Sequence, residues 1–507
     1  MRLAVRNVGT NYLAYGAAIL SGLILTPITI SAITKEGYGA WVFIASLTTL
    51  LRVLDFGISP TVIRYTAFHR GSGAADDIHA LASASFAVFL VLGLMSLLVG
   101  LVLAWFLPSM ISLPADLEQP AQVACVIAVF TLATQAPLGL FGSLLKGAQR
   151  FDVLNAGTLV SIAVYFVLVV TVLTRHGTLP ILATFALIAT VVRLSYPLLY
   201  MRRELPGLRL SPRLVTGQSV RELLGFSGYT FFSHVAGKVL FSADVLVIGA
   251  VLGAKQVALY GVAARLFDLA TSVAATGTDV MLPVQSELEG RGEQSRQRAL
   301  TTTGIRAATC VAVLLALPMV VLPAWVLHAW LGSGFSASIA PLALLGATVP
   351  FTVITSVLGQ FLIARGRPSL LAVSQIVLAV ANLALTILLL LETREIWTAA
   401  FATLVVQIAG ALLLLPLLAR REGMPYAAVV VSWGTPVAVG ILAAVPTLVV
   451  ARVLTDTDSL LVLAVVGAYW AAVFSALAWR LALTRGERTM VRGLARRGRA
   501  TIPAAEV

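Results

Sequence analysis

The sequence predicts an all-α polytopic membrane protein with 14 transmembrane helices, arranged as two six-helix lobes related by a parallel repeat plus a terminal helix pair. Three observations predict it. Hydrophobic residues make up 59% of the 507 and charged residues only 11%, against about a quarter charged in soluble chains, and mean hydropathy is +0.96. Apolar runs of membrane-spanning length recur along the whole chain, and basic residues gather on alternate connections between them. A surplus of 35 Lys and Arg over 22 Asp and Glu would suggest nucleic acid in a soluble chain; here it asks first on which face the charge lies.

A bilayer core takes about 20 apolar residues per helix. On that ruler the spans lie near 8–33, 39–63, 81–107, 121–145, 153–174, 178–200, 222–251, 256–283, 303–328, 337–363, 369–391, 396–418, 428–452 and 459–482. The first sits in MRLAVRNVGTNYLAYGAAILSGLILTPITISAI, too long for a signal-peptide core and without a persuasive cleavage site, so it counts as a helix. Fourteen spans put both termini on one face, and the positive-inside rule tests the count. Lys35, Arg175, Lys255, Arg394 and Arg452 fall on the opposite face, and Arg52, Arg193, Lys238 and Arg265 fall inside helices. The remaining 26 of the 35 basic residues share the face of the two termini, which is therefore expected to be cytoplasmic. A missed helix would invert every later connection and spoil that separation.

These spans divide the chain into an N-terminal lobe (1–200), a cytoplasmic linker (201–221), a C-terminal lobe (222–419), the last two helices (420–483) and a basic cytoplasmic tail (484–507). Connections on the non-cytoplasmic face are short and leave no room for a soluble domain. The tail, TRGERTMVRGLARRGRATIPAAEV, reads as an anchor drawn to anionic lipid headgroups or as a docking segment for a protein partner.

The first six and next six spans show weak self-similarity. Tyr38-Gly39-Ala40 matches Tyr260-Gly261-Val262, and LFGSLLKGAQRFDVL (140–154) lines up without gaps on VLGQFLIARGRPSLL (357–371), setting Arg150 on Arg367. Both halves begin on the same face, so the repeat is parallel and is expected to leave a central cleft between lobes.

GYGAW…LDFGISPTVIR in the second span, Pro27 shortly before it, and FSADVLVIGAVLGAKQVALYGVAARL in the seventh and eighth resemble the polysaccharide (O-antigen type) flippases of the multidrug/oligosaccharidyl-lipid/polysaccharide exporter superfamily. The likeness covers essentially the whole chain. It implies a flippase of the inner (cytoplasmic) membrane that moves an undecaprenyl-diphosphate-linked oligosaccharide to the outer leaflet by alternating access. The lipid-linked oligosaccharide is then the substrate, and polysaccharide assembly proteins are candidate partners.

Ionisable residues inside a membrane are functional candidates because burying each costs at least about 2.5 kcal/mol. Counting from Phe226 at 1.5 Å per residue, Lys238 lies roughly 18 Å deep, near the midplane. His234 and Ser242 are one turn to either side on the same face. An ammonium there suits a passing diphosphate or a carboxylate from another helix. Asp244 is about 120° around from Lys238. Arg265 and Asp268 are spaced to close on each other in the eighth span. Arg52 and Asp55 lie within about 60° in the inner half of the second span, so pairing lowers their burial cost without a ligand. Asn7, Asn11 and Tyr15 form a polar stripe on the first span ahead of Pro27, whose missing N–H can bend the helix. Gln135, Asn382 and Gln407 can bond sugars or neighbouring helices. Arg193 is close enough to the cytoplasmic end of its span to snorkel. Substrate contacts are therefore expected from Lys238, His234, Arg52, Arg265, Asn11, Tyr15 and Gln135, and ion coupling from Asp55, Asp244 or Asp268.

No G-x-x-x-x-G-K-[ST] or H-E-x-x-H occurs, and Ser143 to Lys146 matches S-x-x-K without its companion motifs. No catalytic residue, cofactor or metal site is expected. Cys125 and Cys310 both sit in apolar runs, which suggests neither a disulfide nor a metal. A membrane glycosyltransferase or polymerase would need sizeable extracytoplasmic loops. A cation-coupled multidrug exporter would want carboxylates in its cavity, and the first lobe offers only Asp55. A lipid II flippase is a third reading with the same mechanism.

Overall fold

A computed structural model of the chain describes residues 2–52, 58–59, 61–63, 65–66, 75–205, 207–217, 220, 243–275, 281–454, 459–489 and 492; among these, the side chains of 2–9, 11–12, 75–77, 202 and 283 are not described. The described residues are helical, with no strand. Among the described residues, twelve helices are long and apolar enough to cross a membrane. Many of their large apolar side chains are exposed, among them Leu90, Leu94 and Leu98 on one helix and Ile441, Val445 and Val449 on another. Such faces require lipid as solvent, and the protein is a multi-pass membrane protein.

The chain groups into two compact units, residues 1–261 with 383–396, and residues 262–382 with 397–507. In the first, α1 (Arg2–Leu51) is interrupted at Thr34, with φ 68° and ψ 170°. The Thr34 hydroxyl accepts from the Gly37 N–H at 3.2 Å, capping the resumed helix as an N-cap residue does. The interruption falls at this single left-handed residue, inside the gap expected between the first two spans, while Pro27 stays within the helix. There follow α2 (Ala75–Trp105), α3 (Leu107–Met110), α4 (Ala115–Gly147), α5 (Phe151–Leu168, continued as a π turn over Val169–Leu173) and α6 (Leu179–Glu204). A short apolar helix α7 (Ala243–Leu252) leads into α8 (Ala254–Ala275). Gly39 is where α1 meets the α7–α8 turn, since a Cβ there would lie 1.8 Å from the Ala254 carbonyl oxygen. Only glycine permits that approach.

The second unit contains α9 (Met281–Gly290), α10 (Gln294–Val321), α11 (Pro323–Leu331), α12 (Ile339–Ala364), the start of α13 (Pro368–Thr393), α14 (Trp397–Ala409, then a π turn over Gly410–Leu414), α15 (Leu415–Arg421), α16 (Tyr426–Val453) and α17 (Leu460–Leu477).

Several of these helices contain proline, which removes the N–H owed to the carbonyl four residues earlier. In a membrane that carbonyl must find another donor. Pro318 withholds a bond from Leu314, whose oxygen accepts instead from the Trp470 indole at 2.8 Å. Pro416 likewise cannot donate to Leu412, whose oxygen takes the Tyr426 hydroxyl at 2.9 Å. Pro137 and Pro197 leave the carbonyls of Ala133 and Arg193, and at each a glycine, Gly93 and Gly157, brings a neighbouring helix against the oxygen.

On the ends of the helices, Arg150 holds Asp152 at 3.0 Å and also pairs with Glu204. In the other unit Arg367 holds Glu422 at 3.2 Å and Arg365 holds Glu289 at 2.8 Å.

Candidate functional site

Within the first unit α2 and α4 are pressed together at Gly93 and Gly100, where an added Cβ would collide with Ala133 and Val129. Further along α4 they part. A side chain at Gly139 would meet nothing within 4 Å, and there a cavity of about 200 Å³ opens. Its polar groups are Arg52 at the end of α1, Ser59, Ser96 on α2 and Gln135 on α4, set among apolar walls such as Leu51, Phe89 and Leu132. The Ser96 hydroxyl donates to the Leu92 carbonyl at 2.8 Å, so its proton is engaged. No carboxylate is among the described residues that line the cavity.

Gln135 does not stand alone. Nη2 of Arg193 on α6 donates to its Oε1 at 3.5 Å, and Arg193 lies within electrostatic range of Arg52. The expected snorkelling of Arg193 is thus replaced by a contact inside the unit. The sequence held a signal for it: Gln135 lies 12 residues before the end of α4 and Arg193 11 before the end of α6, so the two share one depth.

A second polar centre in this unit is more deeply enclosed. Asp244 on α7 is 1% exposed and accepts from the Tyr260 hydroxyl on α8 and the Thr386 hydroxyl on α13, each at 3.0 Å. Tyr260, read from sequence only as part of a repeat motif, is a partner of the carboxylate. The remaining expected residues are not gathered in either place. Tyr15 is exposed at 41% on α1. Arg265 is half-buried and Asp268 exposed on α8, near enough for the arginine's charge to act on the carboxylate. Asn382 and Gln407 are buried on α13 and α14. Lys238, His234, Ser242, Asp55 and the side chains of Asn7 and Asn11 lie outside the described residues.

The family model described as "polysaccharide biosynthesis protein" matches residues 4–289, more than half of the chain. This chain belongs to the polysaccharide biosynthesis protein family. The resemblance read from the motifs is thereby borne out. No curated protein matches it in sequence. Among solved structures, the lipid II flippase MurJ in an inward closed conformation is 13% identical, with a TM-score of 0.71 over 94% of this chain and 99% of that one. An inward-facing MATE family multidrug resistance transporter of the MOP superfamily is 14% identical, with a TM-score of 0.65 over 82% and 94%. A MOP superfamily transporter from Pyrococcus furiosus, described as having a binding pocket of reverse polarity, is 13% identical, with a TM-score of 0.59 over 84% and 96%. These likenesses are of fold: the polysaccharide biosynthesis protein shares the architecture of that transporter superfamily.

Proposed function

We propose that this protein is a flippase that carries an undecaprenyl-diphosphate-linked oligosaccharide to the outer leaflet of the inner (cytoplasmic) membrane for polysaccharide assembly, and that it is not an enzyme. The observation that carries the proposal is the first-unit cavity, where Arg52 and Gln135 stand among apolar walls with no carboxylate among the described lining residues. A diphosphate entering a membrane must replace its water with charge-assisted hydrogen bonds, and a guanidinium supplies them in a fork that matches phosphate oxygens. A cationic drug would be repelled there.

Transport proceeds by alternating access, the headgroup passing through the protein while the lipid tail stays in the bilayer. Lys238, His234, Arg265, Asn11 and Tyr15 would contact the headgroup along its path. Coupling to a proton or cation would use Asp55, Asp244 or Asp268; the enclosure of Asp244 by two hydroxyl donors favours it. Two observations support 14 spans, an even number that would put both termini on one face, taken here as the cytoplasmic one: Thr34 divides the first of the 12 candidate helices, and α7 falls in the expected seventh span. The parallel repeat is supported by the turns at Gln149 and Gly366, 217 residues apart, both left-handed at φ 61° and 71°. In each the next arginine's N–H reaches back five residues, Arg150 to Leu145 and Arg367 to Leu362, at 2.9 Å. On this reading the lobes, linker, last two helices and tail keep the boundaries given above, with anionic lipids at the tail and polysaccharide assembly proteins as partners.

The test is reconstitution into proteoliposomes with a diphosphate-linked oligosaccharide, with lipid II and with a cationic dye. Translocation of the oligosaccharide lipid, lost in Arg52→Ala and partly kept in Arg52→Lys, is expected. Dye export without lipid movement would overturn the proposal, and preference for lipid II, the cargo in the name of the MurJ neighbour, would reassign the sugar.

A further inference from the structure

We propose that Arg193 is a positioning residue that sets the amide of Gln135 so that its NH2 group, and not its carbonyl oxygen, faces the cavity, making this wall selective for anionic ligands of the diphosphate class. The inference rests on the flippase reading and adds the device that selects the charge of the cargo.

The argument begins with what each group can do. A glutamine amide has one end that only accepts and one that only donates, and the two ends are alike in shape. Left free, it would offer either end to a ligand and discriminate little. A guanidinium has donors and no acceptor, so a glutamine in contact with arginine must turn its oxygen toward it. That is the arrangement found, Nη2 of Arg193 to Oε1 of Gln135 at 3.5 Å, linking α6 to α4. With the oxygen engaged, the amide N–H bonds are what remains for a ligand in the cavity that Gln135 lines.

The neighbours reinforce that choice. Arg52 lines the same cavity and has only donors to offer. Arg193 acts from behind Gln135, within electrostatic range of Arg52. Gly139 keeps the adjacent wall of α4 open. Discrimination follows from repulsion as much as from attraction: beside Gln135 a cation would meet positive charge and an N–H, and the acceptors left on the described lining are the neutral hydroxyl oxygens of Ser59 and Ser96.

The probe is inorganic pyrophosphate, with tetraphenylphosphonium as its cationic counterpart, titrated calorimetrically into the purified full-length protein in detergent. Wild type is expected to bind pyrophosphate, and Arg193→Met to bind about tenfold more weakly, the size of one lost charge-assisted bond. Arg193→Lys keeps a donor and the charge and is expected to retain most of the affinity. In a Gln135→Ala background, Arg193→Met should change affinity by less than about twofold, because positioning has nothing left to position. Gln135→Glu, whose carboxylate also accepts from Arg193 but brings no N–H, should lose pyrophosphate and gain tetraphenylphosphonium. An unchanged affinity in Arg193→Met, or an equal loss with and without Gln135, would overturn the role given to Arg193 and leave the flippase reading standing. A wild-type protein indifferent to pyrophosphate that binds tetraphenylphosphonium would instead remove the diphosphate reading itself.

Discussion

The indole N–H of Trp470 donates to the carbonyl oxygen of Leu314 at 2.8 Å, supplying the bond that Pro318 withholds. Trp470 is 4% exposed and stacked on Phe474 with ring centroids 5.4 Å apart. Trp470→Phe keeps the ring and drops the donor, leaving a carbonyl unsatisfied at a cost of about 1–3 kcal/mol. Thermal unfolding in detergent should show that loss. Adding Pro318→Ala returns a helical N–H to Leu314, so the double variant should recover most of the stability; no recovery would show that the hydrogen bond is not the cause.

One end of the second unit depends on pH through Glu487. Its carboxylate accepts from Arg306 at 3.0 and 3.2 Å and from the Thr484 N–H at 2.7 Å, while the Thr484 hydroxyl accepts from the Glu487 N–H. This is a capping box in Thr484-Arg485-Gly486-Glu487. Burial alone would raise the Glu487 pKa, but the Thr484 and Arg306 bonds outweigh it and hold it below the ordinary 4.5. A lowered pKa means that the contribution is complete above about pH 4.5 and is lost as pH falls through the lower folded value. The protection of amides across 484–489, taken relative to their intrinsic exchange at each pH, should therefore fall on acidification in the wild type. Glu487→Gln should show low protection at every pH, and the coupling to Arg306 in a double-mutant cycle should be of order 1 kcal/mol.

Gly39 offers a steric prediction. Gly39→Ala places a methyl on the Ala254 carbonyl, 1.8 Å away, and backbone must move, at a cost of about 3 kcal/mol or more. Gly16→Ala, on the same helix with nothing within 4 Å, should be neutral or mildly stabilising. Equal melting temperatures for the two variants would sink the packing argument.

Asp244 separates a structural role from a transporting one. Asp244→Leu takes the shared acceptor from the Tyr260 and Thr386 hydroxyls and should lower stability by about 2–4 kcal/mol. Asp244→Asn retains an acceptor and should fold. Lipid transport by that variant is expected to lose its dependence on an imposed ion gradient, measured in proteoliposomes; undiminished gradient dependence would take Asp244 out of the coupling path.

The helices were legible because a bilayer leaves few options: a run of about 20 apolar residues has no solution but a helix. The gap expected before residue 39 is seen as the break at Thr34, and the aligned segments around Arg150 and Arg367 end in turns with the same hydrogen bonds. The site was legible only in part. Arg52 and Gln135 were recognised as polar groups on apolar spans, but nothing local reveals that they line one cavity. Arg193 finds Gln135 58 residues away and Asp244 finds Thr386 142 away, and such pairings are decided by helix packing. The tail beginning at Thr484 was read for its positive charge, whereas among the described residues its start is held by the half-buried carboxylate of Glu487.

The left-handed turns at Gln149 and Gly366 carry a practical corollary. Glutamine in that conformation is strained where glycine is not, by about 1 kcal/mol. Gln149→Gly would remove that strain, and glycine already stands at the turn of the same geometry, Gly366. Each of the two turns serves as a design reference for the other, a local solution obtainable from one chain.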